Sequence, residues 1–522
     1  MALMETGCEN MDIELTDCDK EQIQFIERIQ PFGALIATNK FHKIVALAAT
    51  EEFDLRPSLL GDTLDNALEA DTPTILGRLQ ERSNITRPML IRSKRWKRWV
   101  TCTPHQVDDT TILEFEFVPS YEVVIPTIQF LKKECDNLTT YLQHLMESLR
   151  KVTGYDRVMV YRFASDWHGE VVAEAIKEGE HSFQGHHFPA SDIPLPAREL
   201  FIKNWIRAIF DVDKEPVQIA TAGGSTGKID LSRSCLRYPS SIHIEYLKNM
   251  SVGASLTLSL IYNNQLWGLI ACHHSEPKYM TAEERQICAM IAKLASAKIT
   301  SYINTEALAA LESVQAFTRS ITANLSRGQL HDAIRQSKDG LYNFVSCDAF
   351  CATNAQGTPL AKEGSMPTAS ELKKIVFCLD SLGEDVVYTE SLSKLACDLE
   401  GVENICGVLA FKVHRFWLIW FRKEFIHSRL WAGNPNKAIY KNQTATRLSP
   451  RTSFDAFKEN TRGCSKQWED AEVAAVTLLR SAVLATMEGQ EEAKVEGEAD
   501  FQEIFQTLVE EHAATDFKKP IL

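Results

Sequence analysis

The stretch SLTLSLIYNNQLWGLIACHH (255–274) predicts a β-hairpin, with two apolar strands and a turn at Asn263-Asn264. Asparagine tolerates the positive φ angles of a tight turn, so this pair marks the reversal of the chain. A second stretch, GVLAFKVHRFWLIWFRKE (407–424), repeats the pattern with its turn at His414-Arg415. A helix and a strand are predicted before each hairpin. We therefore infer two diverged copies of one domain type.

A third block of mixed structure precedes these copies. The segment TTILEFEFV (110–118) alternates, which places its Leu and Phe side chains on one face and Glu114 and Glu116 on the other. This pattern predicts a half-buried antiparallel strand in a small sheet with helices on one side. Residues 281–326 contain neither Pro nor Gly and predict one long helix that connects two domains.

The predicted fold class is α+β. We expect three mixed α/β domains whose antiparallel sheets are joined by long helices. The domains are placed at residues 1–120, 121–305 and 306–488, and residues 489–522 are predicted to be a linker with a connecting helix.

The charge of the chain limits its partners. Its 522 residues include 56 Lys and Arg against 70 Asp and Glu, which gives a formal net charge of −14. An acidic protein is a poor ligand for nucleic acid or for an anionic membrane. No apolar run approaches the ~18 residues of a membrane span, and the N-terminus does not resemble a signal sequence. We expect a cytoplasmic protein with neither nucleic acid nor membrane as a partner.

Thirteen cysteines are scattered along the chain, a pattern that does not indicate a disulfide framework in a cytosolic protein. Cys347 and Cys351 have a metal-like spacing, but no second pair of ligands lies near them in sequence, so no metal site is predicted. Most thiols are expected to pack in the core. Cys18 differs, because its neighbours in LTDCDKEQ (15–22) are polar.

Residues 181–245 form a long stretch rich in His, Pro, Gly and Ser, and loops of that length are typically functional. Two arginines with neighbouring hydroxyl groups suit a ligand that carries two carboxylates or phosphates. Aromatic side chains suit a flat apolar body. The candidate residues are Asp192, Arg207, Arg237, Ser240, His243, Tyr246, His273 and His274, with Tyr161, Phe188 and Phe201 as further aromatic candidates.

These residues also have purely structural interpretations. Asp192 would cap a helix, His243 would be a hydrogen-bonded core histidine, and the arginines would form surface ion pairs of little energetic value. A Cys-His hydrolase using Cys235 or Cys272 with His273 is disfavoured. Cys272 and His273 are adjacent in a strand, so their side chains point to opposite faces. The residues alone predict a sensor-like pocket for an unidentified ligand.

Motifs along nearly the whole chain resemble, in the same order, those of the photosensory core of bacteriophytochromes. One is similar to the N-terminal attachment segment, three to the chromophore-binding domain and three to the tongue. The motifs are TDCDKEQIQFIERIQPFGALI (16–36), PASDIP (189–194), HIEYLKNMSVGASL (243–256), LWGLIACHH (266–274), WFRKE (420–424), LWAGNP (430–435) and SPRTSF (449–454).

This resemblance implies successive PAS, GAF and PHY domains within the boundaries given above, with a tongue at about 423–457 in the PHY domain. It also implies that the N-terminal segment passes through a loop of the GAF domain as a knot. Such a chain is a sensory module and not itself an enzyme.

The resemblance implies biliverdin IXα, a linear tetrapyrrole, as the cofactor. A cysteine at the place of Cys18 forms a thioether with the ring A vinyl group in bacteriophytochromes. Other relatives use a GAF cysteine at the position that is Ile242 here, so Cys18 is the expected attachment point. The resemblance assigns the propionates to Arg207, Arg237, Ser240, Ser255 and Thr257, the pyrrole nitrogens to Asp192 and His243, the ring D carbonyl to His273, and the walls of the ring D site to Met159, Tyr161, Phe188 and Tyr246, with Phe201 beside the propionate network.

The resemblance further implies a switch driven by light. Red light isomerises the C15=C16 double bond of the pigment, and Asp192 then exchanges Arg451 for Ser453 as its partner in the tongue. The tongue, which includes Trp431, changes from strand to helix and pulls on the long helices.

Three departures from the family pattern stand out. Phe32, Phe201 and Ala432 occupy positions where relatives commonly have His, Tyr and Gly. Ala432 disfavours any positive φ that Gly would allow.

The expected partners are a second copy of the chain and an output domain in cis. Apolar stripes on the long helix and on residues 468–487 favour a homodimer. The C-terminal HAATDFKKPIL (512–522) weakly resembles the start of a diguanylate cyclase domain, and a histidine kinase is the other candidate output. The alternative function is a GAF-type sensor of a cyclic nucleotide or another small molecule, without a response to light.

Overall fold

The structure is a computed structural model that describes residues 5–7, 21–80, 88–118, 135–164, 166–222, 228–326, 329–395, 397, 399, 402, 405–425, 427–433 and 454–488. The chain divides into two compact units. The larger unit comprises Ile13–Tyr302 and Leu430–Phe457. The smaller unit comprises Met1–Asp12, Ile303–Arg429 and Lys458–Leu522.

Strands and helices are numbered in chain order. The strands are β1 (Glu5–Gly7), β2 (Arg28–Ile29), β3 (Ala34–Thr38), β4 (Ile44–Ala49), β5 (Met89–Arg92), β6 (Trp99–Val107), β7 (Thr110–Phe117), β8 (Arg157–Phe163), β9 (Gly169–Ile176), β10 (His186–Phe188), β11 (Ile206–Ile209), β12 (Val217–Gln218), β13 (Ala220–Thr221), β14 (Ala254–Tyr262), β15 (Gln265–His274), β16 (Ala349–Asn354), β17 (Pro359–Gly364), β18 (Val386–Thr389), β19 (Ile405–Val413), β20 (Phe416–Lys423), β21 (His427–Ala432) and β22 (Ala456–Arg462). The helices are α1 (Leu64–Leu68), α2 (Thr72–Gln80), α3 (Leu138–Thr153), α4 (Leu195–Lys203), α5 (Ser241–Asn249), α6 (Ala282–Leu325), α7 (Leu330–Gln336), α8 (Lys338–Tyr342), α9 (Ala369–Leu382) and α10 (Asp470–Glu488).

The first sheet of the larger unit has the strand order β13-β4-β3-β7-β6-β5. Its five strands from before residue 120 pair antiparallel, which confirms the predicted small sheet. Strand β13 adds an antiparallel edge from much later in the chain. Phe53 lies in the core of this sheet and stacks on Phe117, with 4.0 Å between the ring centroids.

Strand β7 is buried on both faces, so the prediction of a half-buried strand is wrong. Glu114 and Glu116 are only 0% and 3% exposed. Residues distant in sequence cover the face that carries them. The guanidinium of Arg285 on α6, for example, donates a hydrogen bond of 3.0 Å from Nη1 to the Glu116 carboxylate.

The second sheet of the larger unit has the order β21-β10-β9-β8-β15-β14-β11. The hairpin predicted at 255–274 is confirmed as β14 and β15, and its turn residues Asn263 and Asn264 have φ angles of 47° and 61°. Helix α3 packs on β8 and β9 and ends at Gly154, which has a φ of 64°.

Residues 28–30 lie against the long loop that was singled out in the sequence. Strand β2 pairs antiparallel with β12, which sets Ile29 opposite Val217. The Nε2 atom of Gln30 donates hydrogen bonds to the carbonyl oxygens of Ala208 and Cys235, at 2.9 and 3.2 Å. The passage of the N-terminal segment through this loop as a knot stays a prediction, since residues 8–20 lie outside the described residues.

The smaller unit contains a five-stranded antiparallel sheet with the order β17-β16-β20-β19-β18. The second predicted hairpin is confirmed as β19 and β20, with His414 in the turn at a φ of 51°. This strand order matches β9-β8-β15-β14-β11 of the larger unit, element for element. The shared topology supports the inferred duplication. In the smaller unit the side chains of Trp417 and Trp420 belong to two separate apolar cores, one on each face of the sheet.

The long helix is confirmed as α6, which has 44 residues and contains the boundary between the two units. Within the described residues no helix combines the length and the apolar character that crossing a bilayer requires.

One pair of cysteines contradicts the expectation that the thiols are unpaired. Cys378 on α9 forms a disulfide with Cys397, 19 residues further along the chain. Strand β18 and a short 3-10 helix, Leu392–Lys394, lie between the two in sequence, so their spacing gives no indication of the bond. Four other thiols are buried as predicted: Cys102, Cys272, Cys288 and Cys351.

Candidate ligand-binding site

Strand register places predicted site residues on one face of the second sheet. Directly paired residues of antiparallel strands project to the same face, and alternate residues of one strand share it. Arg207 on β11 pairs with Thr257 on β14, and Ser255 on the same strand pairs with His273 on β15. Met159 of β8 pairs with the alternate β15 residue, Ala271. The shared face carries Met159, Tyr161, Arg207, Ser255, Thr257 and His273.

The apolar part of this face is built around Tyr161. Its ring lies 5.9 Å from that of Phe188, and Met159 and Phe201 belong to the same cluster. Gly169 on β9 leaves room for the ring, because a Cβ atom there would lie 1.8 Å from it. Four of the five aromatic and apolar residues predicted from the sequence are therefore brought together, and the fifth is Tyr246.

The two predicted arginines are neighbours. Nη2 of Arg207 donates a hydrogen bond to the carbonyl oxygen of Arg237. Arg237 is 7% exposed, and its Nη1 donates to the carbonyl oxygen of Ile23 at 3.2 Å. Nη1 of Arg207 and Nε of Arg237 are buried and have no hydrogen-bond partner in the described part of the chain.

Burial without a bound anion is unfavourable for this pair. Burial and the neighbouring Arg237 guanidinium hold the pKa of Arg207 well below its ordinary value. Burial likewise lowers the pKa of Arg237, to about 10. A negatively charged ligand would supply the missing hydrogen-bond acceptors and offset the repulsion between the two cations. The surface ion-pair interpretation of both arginines is therefore wrong.

Ser240 begins helix α5 and has structural partners. Its hydroxyl oxygen accepts a hydrogen bond from the backbone N–H of Ile242 at 3.3 Å, as a helix cap does. The same hydroxyl donates to the carboxylate of Glu21 at 2.8 Å. Because the Ser240 hydroxyl already has these two partners, it is less available to a ligand than the sequence predicts.

The two predicted site histidines, His243 and His273, both have lowered pKa values. Burial, followed by the charges of Arg207 and Arg237, lowers the pKa of His243 to about 4. Burial, followed by Arg157 and by His243 itself, lowers the pKa of His273 to about 3. His243 is exposed to solvent, which weakens the effect of burial and of the two charges on its pKa. Both imidazoles are neutral at pH 7 and can donate or accept a hydrogen bond.

Asp192 ends a short 3-10 turn, Ala190–Asp192, and does not cap helix α4, whose N-cap is Pro194. The helix-cap interpretation is therefore wrong. The hydroxyl of Tyr246 on α5 donates a hydrogen bond of 3.1 Å to the Asp192 carboxylate. The Tyr246 ring also meets Phe454 edge to face, with 5.2 Å between the centroids.

The described part of the predicted tongue is made of strands. In β21, Leu430 and Trp431 pair in parallel with His186 and His187 of β10. The Trp431 ring lies 5.7 Å from that of His168 and 5.8 Å from that of His187. These ring contacts and the backbone pairing attach this end of the predicted tongue to the second sheet.

Two departures from the family pattern acquire a structural explanation. Ala432 is fully buried in the apolar cluster of the site, and the positive φ of this segment, 86°, falls on Gly433 instead. Phe32 packs against Phe210 and Tyr279, with ring centroids 4.4 and 6.2 Å away. Phe32 thus fills an aromatic cluster, and Ala432 needs no strained backbone.

The hydrolase alternative receives no support. Cys272 is fully buried and lies on the face opposite His273, and burial raises the pKa of its thiol well above the ordinary value. Burial also raises the pKa of Cys235, to about 12. Neither thiol is available as a nucleophilic thiolate at neutral pH.

The chain matches known protein families along most of its length. Sequence models of three domain families match in succession: the PAS fold at 18–118, the GAF domain at 137–299 and the phytochrome region at 314–492. The chain belongs to the phytochrome family. Together with the matching strand orders, these domains make it a photosensory core of the bacteriophytochrome type.

Relatives from several bacteria share this phytochrome architecture. The chain is 32% identical over 501 residues to cyanobacterial phytochrome B of Nostoc sp., which covers 90% of this chain and 66% of that protein. It is 31% identical over 489 residues to a bacteriophytochrome of Pseudomonas aeruginosa, with the same coverage. The crystal structure of a bacteriophytochrome from R. palustris superposes with a TM-score of 0.78 at 27% identity, covering 92% of this chain and 100% of that one. The chain therefore spans 66% of the length of these curated relatives.

Three predicted residues of this phytochrome lie outside the described residues: Cys18, Arg451 and Ser453. Their roles stay predictions. Among the described residues, sequence reasoning missed Glu114 and Gln30, which hold the loop that carries Arg237. Gln30 lies inside a recognised motif, whereas Glu114 had only the appearance of a solvent-facing strand residue.

Proposed function

We propose that this chain is the light-sensing core of a red/far-red photoreceptor that carries covalently bound biliverdin IXα. The observation that carries the proposal is the pairing of half-buried Arg207 with buried Arg237. Nη1 of Arg207 and Nε of Arg237 lack acceptors within the described residues. Arg207 shares the sheet face of Met159 and Tyr161, and its Nη2 donates to the carbonyl oxygen of Arg237. A ligand with two carboxylates on a flat conjugated body fits this combination.

The site residues fit each part of a linear tetrapyrrole. Arg207 and Arg237 would bind its propionates as charge-assisted hydrogen-bond donors, with Ser255 and Thr257 on the same sheet face. Ser240 would contribute less than predicted, because its hydroxyl caps α5 and donates to Glu21. Cys18 would attach the pigment covalently.

The polar residues at the other end of the site would control protonation and ring D. When bound, the pigment supplies red-light absorption and isomerisation about its C15=C16 bond. The backbone carbonyl of Asp192 and neutral His243 would accept from the pyrrole N–H groups. His273 would donate to the ring D carbonyl, and the predicted ring D walls are Met159, Tyr161, Phe188 and Tyr246.

The strands of the tongue correspond to the resting form in this proposal. Phe454, at the end of the SPRTSF motif, contacts Tyr246, which in turn donates to Asp192. Arg451 is proposed as the resting partner of Asp192, and Ser453 as its partner after illumination. Replacement of one partner by the other would release the tongue from its strand form.

The remaining partners are proposed from the family. We expect a cytoplasmic homodimer with an output domain in cis, either a diguanylate cyclase or a histidine kinase. Such an output would supply the enzymatic activity, and the core itself would act as a sensor. The relatives above extend beyond the matched region, as a further domain requires.

The deciding experiment is spectroscopic. The chain is purified with biliverdin, and absorption is recorded before and after red light. We expect a red-absorbing form that converts to a far-red-absorbing one. A colourless protein, or a coloured one that light does not change, would reject the photoreceptor. Binding of a cyclic nucleotide at micromolar concentration by that colourless protein would favour the alternative sensor.

A further inference from the structure

Glu114 on β7 is a buried carboxylate that faces the loop of the arginine pair. Its side chain is 0% exposed. One oxygen accepts hydrogen bonds from the Ser234 hydroxyl and from the backbone N–H of Leu236, the latter at 2.8 Å. The other accepts from the backbone N–H of Cys235 at 3.1 Å. Three consecutive loop residues are thus fixed by one side chain.

No cation forms an ion pair with Glu114 within the described residues. Its neighbour Arg285 binds Glu116 instead, through both of its terminal nitrogens. Burial raises the pKa of Glu114, whereas the three hydrogen bonds and the more distant Arg285 lower it. A buried carboxylate is unfavourable unless donors satisfy it, so the loop is held in the one conformation that presents these three donors.

The ordered loop is linked to both arginines by hydrogen bonds. The backbone N–H of Arg237 donates to the Ser234 hydroxyl oxygen at 2.9 Å. The carbonyl oxygen of Arg237 accepts from Nη2 of Arg207. Ser234 is therefore one hydrogen bond from Glu114 on one side and from Arg237 on the other. Neither arginine contacts Glu114 itself by a hydrogen bond or an ion pair.

We propose that Glu114 is a positioning residue for the carboxylates of the ligand: through Ser234 it orients Arg237, and through Arg237 it orients Arg207. The inference rests on the proposed function for the identity of the ligand. It assigns to the first domain of the chain a part in recognising a ligand that the second domain binds. Glu114 should affect only the binding of negatively charged ligands, because it orients the two guanidinium groups and no apolar part of the site.

The matched variants are Glu114→Gln and Glu116→Gln. Both remove a buried negative charge from the same face of β7, but Glu116 holds α6 rather than the loop. An amide at position 114 keeps one acceptor and turns an N–H donor toward the loop donors. Each variant is made in a Cys18→Ser background, so that biliverdin and its dimethyl ester bind reversibly. The ester keeps the conjugated body but carries no negative charge.

Glu114→Gln should raise the dissociation constant for biliverdin by roughly tenfold or more. The loss of one charge-assisted hydrogen bond between an arginine and a ligand carboxylate corresponds to a change of about that size. Ester binding should change by less than about threefold, so the preference for the acid over the ester should fall. Glu116→Gln should leave that preference unchanged. Equal losses for the acid and the ester in Glu114→Gln would show a purely structural role and overturn the inference.

Amide hydrogen exchange in the pigment-free protein gives a second measurement. The N–H groups of Cys235, Leu236 and Arg237 should exchange faster in Glu114→Gln than in Glu116→Gln. Unchanged exchange would also overturn the inference, even in a chain that takes up pigment normally. If the unsubstituted protein binds no biliverdin, the proposed function is rejected. The exchange measurement would then decide by itself whether Glu114 orients the loop.

Discussion

Tyr246 donates a hydrogen bond of 3.1 Å to the carboxylate of Asp192, and its ring meets Phe454 at 5.2 Å. One side chain thus contacts both the 3-10 turn of the GAF domain and Phe454 of the predicted tongue. The bond to a carboxylate is of the charge-assisted class, which is worth about 1.5–3 kcal/mol.

Tyr246→Phe removes this hydrogen bond while keeping the ring contact. Because the bond belongs to the strand form of the tongue, its loss should destabilise the resting state relative to the illuminated one. Dark reversion, followed by absorption after a red pulse, should slow by about tenfold. Tyr388→Phe, on the surface of the smaller unit, serves as the control. Faster reversion in Tyr246→Phe would contradict this assignment.

Cys18→Ser should abolish covalent attachment of the pigment. A thioether survives denaturation, whereas a bilin held only by Arg207, Arg237 and apolar contacts does not. Zinc-induced fluorescence on a denaturing gel should therefore disappear, while reversible colour in the native protein persists. Cys235→Ser is the control and should keep full fluorescence, because partial burial raises the pKa of that thiol to about 12. Fluorescence that survives in Cys18→Ser would move the attachment to another thiol.

His105 should make the pigment-free protein sensitive to acid. It is 5% exposed, and neither ring nitrogen has a hydrogen-bond partner among the described residues. Burial, followed by Arg233, lowers its pKa from 6.5 to about 4. The unfolded chain therefore binds a proton that the folded chain excludes. The resulting loss in the free energy of unfolding is absent well above pH 6.5, grows as the pH falls and reaches its full size below about pH 4.

His105→Gln cannot take up this proton. Between pH 7 and 4.5, the parent protein should lose about 2–3 kcal/mol more of its free energy of unfolding than the variant, measured by urea unfolding. His414→Gln, in the exposed turn between β19 and β20, is the control. Parallel pH profiles for His105→Gln and the parent would refute the prediction.

Arg422 joins the base of the tongue to α10 within the smaller unit. Its Nη2 donates to both carboxylate oxygens of Glu472 at 2.7 and 2.8 Å, and its guanidinium lies 3.7 Å from the Trp468 ring centre. Nε and Nη1 donate to backbone carbonyl oxygens. A lysine has neither the planar fork nor the reach to replace these contacts.

Arg422→Lys should lower the free energy of unfolding by about 2–4 kcal/mol, because it breaks a buried, multiply bonded pair. Arg480→Lys weakens the exposed pair with Asp385 and should cost less than about 1 kcal/mol. Chemical denaturation of both variants checks the difference. A loss in Arg422→Lys no larger than that in Arg480→Lys would contradict the buried network.

The local features of the fold and many of the site residues could be predicted from the sequence. Alternation along β14 and β15, together with the Asn263-Asn264 turn, was sufficient to predict a hairpin whose register sets Ser255 opposite His273. Relationships between distant segments could not be obtained in this way. Glu114 alternates like a solvent-facing residue, and only the folded chain brings Ser234 to it, 120 residues later. The disulfide between Cys378 and Cys397 escaped prediction for the same reason, because a helix and a strand intervene.

The pairing of β2 with β12 has a consequence for the order of folding. Ile29 lies opposite Val217, so 217 − 29 = 188 residues separate the partners. Closing so long a loop is entropically expensive and slows the contacts that depend on it. The N-terminal residues leave the ribosome first, yet they find their partners only after the second domain has been synthesised. We expect this docking to be the late, slow phase of folding, and the covalent capture of pigment by the N-terminal segment to wait for it.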